Sequence, residues 1–382
     1  MACDLVRKLV CVLVVVLTLG FEVFAQPQVP GYFIFGDSLV DNGNNNNIAS
    51  LAMANYLPYG IDFPSGPTGR FSNGKTTIDA ISELLGFPNY IPPFAKARGR
   101  DVLQGVNYAS AAAGIRTKQG GRTPFSGQFR NYQTTVTQIT SILGSAQAAA
   151  DHLSRCIFSI GLGSNDYLNN YFMPLVYSSS RRYTPDQWAD LLIQQYSQNL
   201  RTIYNYGARK FVLIGVGQVG CSPSVLAQRS PDGKTCVAEV NNANKIFNTK
   251  LKSLVDQYNS NFTDAKFIYI DAYGIFNDLL TKPASYGTDP NSLLQEIERL
   301  LYMFRSCNGL KVTNAGCCGV GRNTGQITCL PLQTPCSNRK EYLFWDAFHP
   351  TEAANTVVAR RSYTAQSSSD AYPFDISRLA QL

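Results

Sequence analysis

Four short runs of apolar and aromatic residues recur along the chain, at 32–35, 156–161, 210–215 and 266–271, and each breaks off in a glycine or a polar turn. Continuous apolar runs of this length predict strands buried on both faces. Between them lie segments whose apolar residues return at helical spacing. Ile78, Ile81, Leu84 and Leu85 predict a helix over 76–85. Val136, Ile139, Ile142 and Leu143 predict one helix over 132–153, with His152 near its end. Thr184-Pro185-Asp186 is a helix start with a cap and a proline in the first turn, and Gly207 is the glycine that stops that helix. Further helices are predicted over 237–258, 275–280 and 351–361, the last with Pro350 at its first position.

Buried strands alternating with amphipathic helices predict an α/β fold, a parallel sheet covered on both faces. In such sheets ligands bind beyond the carboxyl ends of the strands. No linker divides the pattern, so residues 26–382 are expected to form one domain. The first 25 residues are read differently. Arg7 and Lys8 precede an apolar run at 9–17, and Val23-Phe24-Ala25 offers small or apolar residues for cleavage. This is the three-part pattern of a secretory signal peptide. A membrane span needs about 20 apolar residues, and Glu22 interrupts the run.

Composition narrows the class. Of 382 residues, 45% are hydrophobic and 15% charged, which indicates a globular chain. The net charge of +7 is scattered, with no dense basic stretch. A nucleic-acid binder would cluster that charge. A diffuse basic surface suits loose association with an acidic polysaccharide. Eight cysteines follow the signal segment. In an oxidising compartment most should pair. Cys221 and Cys236 flank a polar loop and are expected to close it; Cys317 and Cys318 are expected to pair with Cys329 and Cys336, in either order. Cys156 opens an apolar strand and is expected to be a buried free thiol. With no histidine near these cysteines, zinc is not expected. Asn261-Phe262-Thr263 is a glycosylation sequon read as lying in a polar loop.

The chemistry starts where the first strand ends. Ser38 follows Phe35-Gly36-Asp37, at the point where strand becomes turn. A serine there is a nucleophile if a base reaches it; alone, it would be read as a helix cap. The chain has two histidines, His152 and His349. His152, at a helix end, is given no catalytic role. His349 follows Asp346 by three residues, close enough for the carboxylate to receive an imidazole N–H and fix its tautomer. After the second strand, Gly163-Ser164-Asn165-Asp166 places an amide that could donate to a developing oxyanion. The small-residue run 107–115 ends at Gly114, where glycine would let a backbone N–H point into a cavity.

Four stretches in this order, Gly36-Asp37-Ser38, the Gly114 turn, Gly163-Ser164-Asn165-Asp166 and Asp346-Ala347-Phe348-His349-Pro350, together with Gly316-Cys317-Cys318-Gly319, resemble the GDSL esterase/lipase family of the SGNH hydrolases, in its plant secreted branch. The similarity covers nearly the whole chain after residue 25. It implies a flavodoxin-like three-layer α/β/α sandwich and a serine esterase or lipase. It implies Ser38 as nucleophile, His349 as base and Asp346 as its orienting carboxylate. It also implies an oxyanion hole of the Ser38 and Gly114 backbone N–H groups and the Asn165 side chain, with no cofactor or metal. The expected substrate is a small-molecule or lipid ester, split through an acyl-serine. An extracellular transacylase on the same site and an inactive secreted binding glycoprotein are the alternatives. One segment departs from the family pattern: residues 288–309 intervene, and Leu293, Leu294, Ile297, Leu300, Leu301 and Phe304 give them one apolar helical stripe. This is either an extra helix or an error in the splicing of the gene, and it adds Cys307, expected to lack a partner.

Overall fold

The computed structural model of the chain describes residues 26–116, 123–286 and 309–382. The signal segment, most of the 288–309 insertion and Cys307 lie outside the described residues.

Each of the four apolar runs is a strand: β1 (Tyr32–Gly36), β2 (Ile157–Gly161), β3 (Lys210–Ile214) and β4 (Lys266–Ile270). They pair in that order and all in parallel. A last short strand, Ala371–Tyr372, pairs antiparallel with β4. On the other side of β1, the segment 106–110 runs alongside it. Ile34 N–H donates to Val106 O and Tyr108 N–H to Ile34 O, and Ile34 and Asn107 form a parallel bridge. Counted with this segment, the spatial order is the flavodoxin-like one. The chain leaves β1 to one side and returns to the other, so the switch point lies at the carboxyl end of β1. Ser38 sits there.

The period of two along each strand divides the core into two layers. Phe33, Phe35, Phe158, Ile160, Phe211 and Leu213 face one layer. It is closed by the helices α1 (Phe125–Leu143), α2 (Ala146–Arg155), α3 (Pro185–Asn205) and α4 (Ala238–Asn261). Tyr32, Ile34, Ile157, Val212, Ile268 and Ile270 face the other. There the cover is Thr77–Leu84, Ala272–Thr281, Glu352–Tyr363 and Ile376–Gln381. The result is the three-layer α/β/α sandwich that the sequence predicts.

Several boundaries differ from expectation. The single helix predicted over 132–153 is two, because Gly144 takes a left-handed φ of 85° as one helix's cap and the Ser145 side chain caps the next through Ala148 N–H. Left-handed glycine followed by a capping serine ends one helix and starts another. Pro350 precedes the last-but-one helix rather than opening it, since the Thr351 side chain accepts from Ala354 N–H and takes the cap. Asn261 is exposed, but it is the last residue of α4 and not part of a loop. His152 Nε2–H donates to Leu103 O at 2.9 Å, a packing role.

Cys221–Cys236 closes its loop as expected, and the open choice resolves as Cys317–Cys336 and Cys318–Cys329. Cys156 is a buried free thiol. The two neighbouring bridges form a third small apolar cluster with Tyr59, Phe71, Ala111 and Trp345, set above the end of β1.

Candidate active site

β1 ends against its own continuation. A side chain on Gly36 would collide with Val40, so the tight turn into Asp37-Ser38 requires glycine. Buried Gln128 of α1 clamps the same peptide: its Oε1 accepts from Gly36 N–H at 3.0 Å and its Nε2 donates to Gly36 O at 2.7 Å. The turn then holds Ser38 half-buried at the strand end.

His349 arrives from the far end of the chain. Its Nε2 stands 2.7 Å from Ser38 Oγ. Its Nδ1 is 2.8 Å from both carboxylate oxygens of Asp346. The Asp346 side chain is fully buried and satisfied. Oδ1 accepts the backbone N–H groups of Phe348 and His349 at 2.8 and 2.9 Å. Oδ2 accepts Tyr59 OH at 2.6 Å and Thr328 Oγ1 at 3.1 Å. Burial opposes the charge on Asp346. The neighbouring His349 and the hydrogen bonds from His349, Tyr59 and Phe348 outweigh it and hold the carboxyl below its usual range. Phe71 packs over the His349 ring, centroids 4.9 Å apart.

Asn165 follows β2 on the helical turn Ser164–Asp166, behind Gly163 at a φ of 137°. Its Nδ2 donates to Ala113 O at 2.9 Å and to Asp37 Oδ2 at 3.3 Å, while its Oδ1 accepts from Asn169 at 2.6 Å. Burial pushes the Asp37 carboxyl up to about 6, with nearby Asp166 adding and the Leu39 N–H and His349 subtracting.

Ser38, Asn165 and His349 line one cavity of about 260 Å³, whose other walls are largely apolar. Gly114 does not line it. Ala111 and Ala112 do, and Gly114 lies buried behind them, its carbonyl accepting from Phe125 N–H. The reason is a turn closed by Ala113 N–H on Ser110 O, with Ala112 in the left-handed region at φ 59°. The chain therefore turns inward before it reaches the glycine. The Asn-rich loop, which by residue type is plain turn chemistry, anchors this wall. Asp41 Oδ2 and Asn45 Oδ1 accept Ala111 N–H at 2.9 and 3.1 Å.

Three residues of the site carry no signal in the sequence: Tyr59, Thr328 and Gln128. None has a local signature, except that Thr328 stands next to Cys329 of a bridge. Among the described residues no group of three or more His, Cys, Asp or Glu is placed to hold a metal ion, and no helix is long and apolar enough to cross a membrane.

Comparison with known proteins identifies the family. The profile of the GDSL-like lipase/acylhydrolase family matches residues 32–362. Among relatives from Arabidopsis thaliana, GDSL esterase/lipase At1g29670 is 62% identical, with 97% of this chain and 98% of that protein covered. GDSL esterase/lipase At5g45670 is 59% identical over 94% of each, and GDSL esterase/lipase At4g18970 is 57% identical over 98% of this chain and 99% of its own. With the profile spanning most of the chain and full-length relatives at this identity, the chain belongs to the GDSL-like lipase/acylhydrolase family.

Proposed function

We propose that Ser38 is the nucleophile of this carboxylic ester hydrolase, with His349 its general base and Asp346 the group that orients the imidazole. The observation that carries the reading is the unbroken line from Ser38 Oγ to His349 Nε2, at 2.7 Å, and from His349 Nδ1 to Asp346, at 2.8 Å. His349 takes the Ser38 proton as Oγ attacks the ester carbonyl, and returns it to the departing alcohol oxygen. Water then attacks the acyl-serine by the same route. Asp346 stays ionised and stabilises the imidazolium.

The oxyanion would be held by the Ser38 backbone N–H and the Asn165 amide. The Asn165 bond to Asp37 is the longer of its two at 3.3 Å, and is the one that can be exchanged for the developing charge. The Ala112 turn, in place of Gly114, forms the facing wall.

The substrates are small-molecule esters, lipid esters among them. The N-terminal 25 residues act as a secretion signal, and exposed Asn261 carries the glycan. The scattered charge of +7 favours loose retention on acidic cell-wall polysaccharide.

Ser38→Ala tests the central assignment. It should abolish hydrolysis of short p-nitrophenyl esters, and labelling by a fluorophosphonate probe, while the melting temperature is kept. Activity retained in a folded Ser38→Ala protein would remove Ser38 from the mechanism.

A further inference from the structure

The cavity at Ser38 has two unlike ends. At its mouth stand exposed Leu39 and Leu51. Its inner end lies between the carboxyl edge of the sheet and the first two turns of the helices Thr77–Leu84, Ala272–Thr281 and Glu352–Tyr363, where the lining residues Asn355 and Val358 are buried. The walls between are apolar: Val40, Ile214, Ala272, Phe276 and Phe344. Among the described residues no lysine or arginine lines the cavity, so a charged acyl end would find no counter-ion there. The polar groups at the inner end are occupied by protein. Thr77 Oγ1 donates to Asn355 Oδ1 at 3.1 Å, and Asn355 Nδ2 to Lys75 O at 3.0 Å. A satisfied polar pair makes a closed end that offers a ligand little to bond.

The size sets a limit. A water-sized group takes about 30 Å³, and a methylene about as much, so 260 Å³ holds roughly eight or nine such groups. An acetyl group would leave most of this space empty. A palmitoyl chain would exceed this space and extend past the mouth.

We propose that this channel is an acyl-chain site for straight, uncharged acyl groups of about six to eight carbons, with Val358 and the Thr77–Asn355 pair as its floor. The proposal rests on the reading of Ser38 as nucleophile. The acyl chain runs inward from the carbonyl carbon at Ser38, and the alcohol leaves on the open side, past His349.

The test is the kcat/KM of purified enzyme on p-nitrophenyl acetate, butyrate, hexanoate, octanoate, decanoate and palmitate, all presented below their aggregation limits. The constant leaving group isolates the acyl side. Expected is a rise of about two- to fourfold per added methylene, reaching its top at hexanoate or octanoate and falling by palmitate. Val358→Phe, which fills the inner end, should lower the octanoate-to-acetate ratio at least tenfold. Val358→Ala should move the optimum to a longer chain. If Val358→Phe does not fold, the wild-type profile and Val358→Ala decide. A flat profile, a peak at acetate, or a rise continuing through palmitate would overturn the acyl site while leaving Ser38 as nucleophile, provided a fluorophosphonate probe still labels it. Loss of both ester hydrolysis and labelling in the wild-type protein would overturn the nucleophile assignment, and this site with it.

Discussion

Tyr59 donates a 2.6 Å hydrogen bond to Asp346 Oδ2, across 287 residues of sequence. Burial, and then the charge on Asp346, keep the phenol well above its usual range, so it remains a donor at any physiological pH. The carboxylate that orients His349 is thus itself oriented. A hydrogen bond to a charged group contributes about 1.5–3 kcal/mol. Tyr59→Phe should lower kcat by about tenfold and reduce the melting temperature, with the Ser38–His349 pair intact. Ester kinetics and a thermal melt check this; if both are unchanged, Tyr59 is a bystander.

Asn165 is held between Ala113 O and Asp37 Oδ2. If its amide receives the developing oxyanion, the contact matters in the transition state and not in ground-state binding. Asn165→Ala should then cut kcat by on the order of 10²–10³ and change KM little. A variant that loses affinity but keeps kcat would place Asn165 in substrate binding instead.

Asp37 gives a pH signature. Its carboxyl titrates at about 6 in the folded chain, against 3.8 for an unburied aspartate. Between those values the folded state binds more protons than the unfolded one, so Asp37 subtracts stability as pH rises through the window. The full cost, about 3 kcal/mol, stands above pH 6 and vanishes below about 4. Asp37→Asn removes the titration. Relative to wild type, its unfolding free energy should gain by about this amount between pH 4 and 8. Urea unfolding of both proteins across that range measures it, and a difference independent of pH would contradict the buried carboxylate.

The Cys318–Cys329 bridge reaches the carboxylate that is paired with His349. Cys318 N–H donates to Trp345 O at 2.7 Å, next to Asp346, and Thr328 beside Cys329 donates to Asp346 itself. Closing a loop of this length, with a separation of 11 residues, stabilises by about 3 kcal/mol. Replacing both cysteines with serine should lower stability by that order. Loosening Thr328 should also lower kcat by about two- to tenfold. Urea unfolding together with kcat decides the point; lost stability with an unaltered kcat would confine the bridge to a scaffold role.

What the chain declares locally, it declares well. The four parallel strands follow from apolar runs, and most helices from their apolar spacing and caps. Asp346 and His349 are three residues apart on one turn, so their pairing is legible in the residue order alone. The same is true of the Cys221–Cys236 loop. These features depend on backbone angles and on contacts within a few residues, which residue type largely decides. Other features needed the packed layers. Ser38 meets His349 across 311 residues, Tyr59 meets Asp346 from another loop, and the partners of Cys317 and Cys318 depend on which neighbour the fold brings near. Ala111 and Ala112 line the cavity and Gly114 does not, with Ala111 held in place by Asp41 and Asn45. Residue type tells which side chain could act; which side chains meet is decided when the two helical layers close on the sheet and fix the loops at its carboxyl edge.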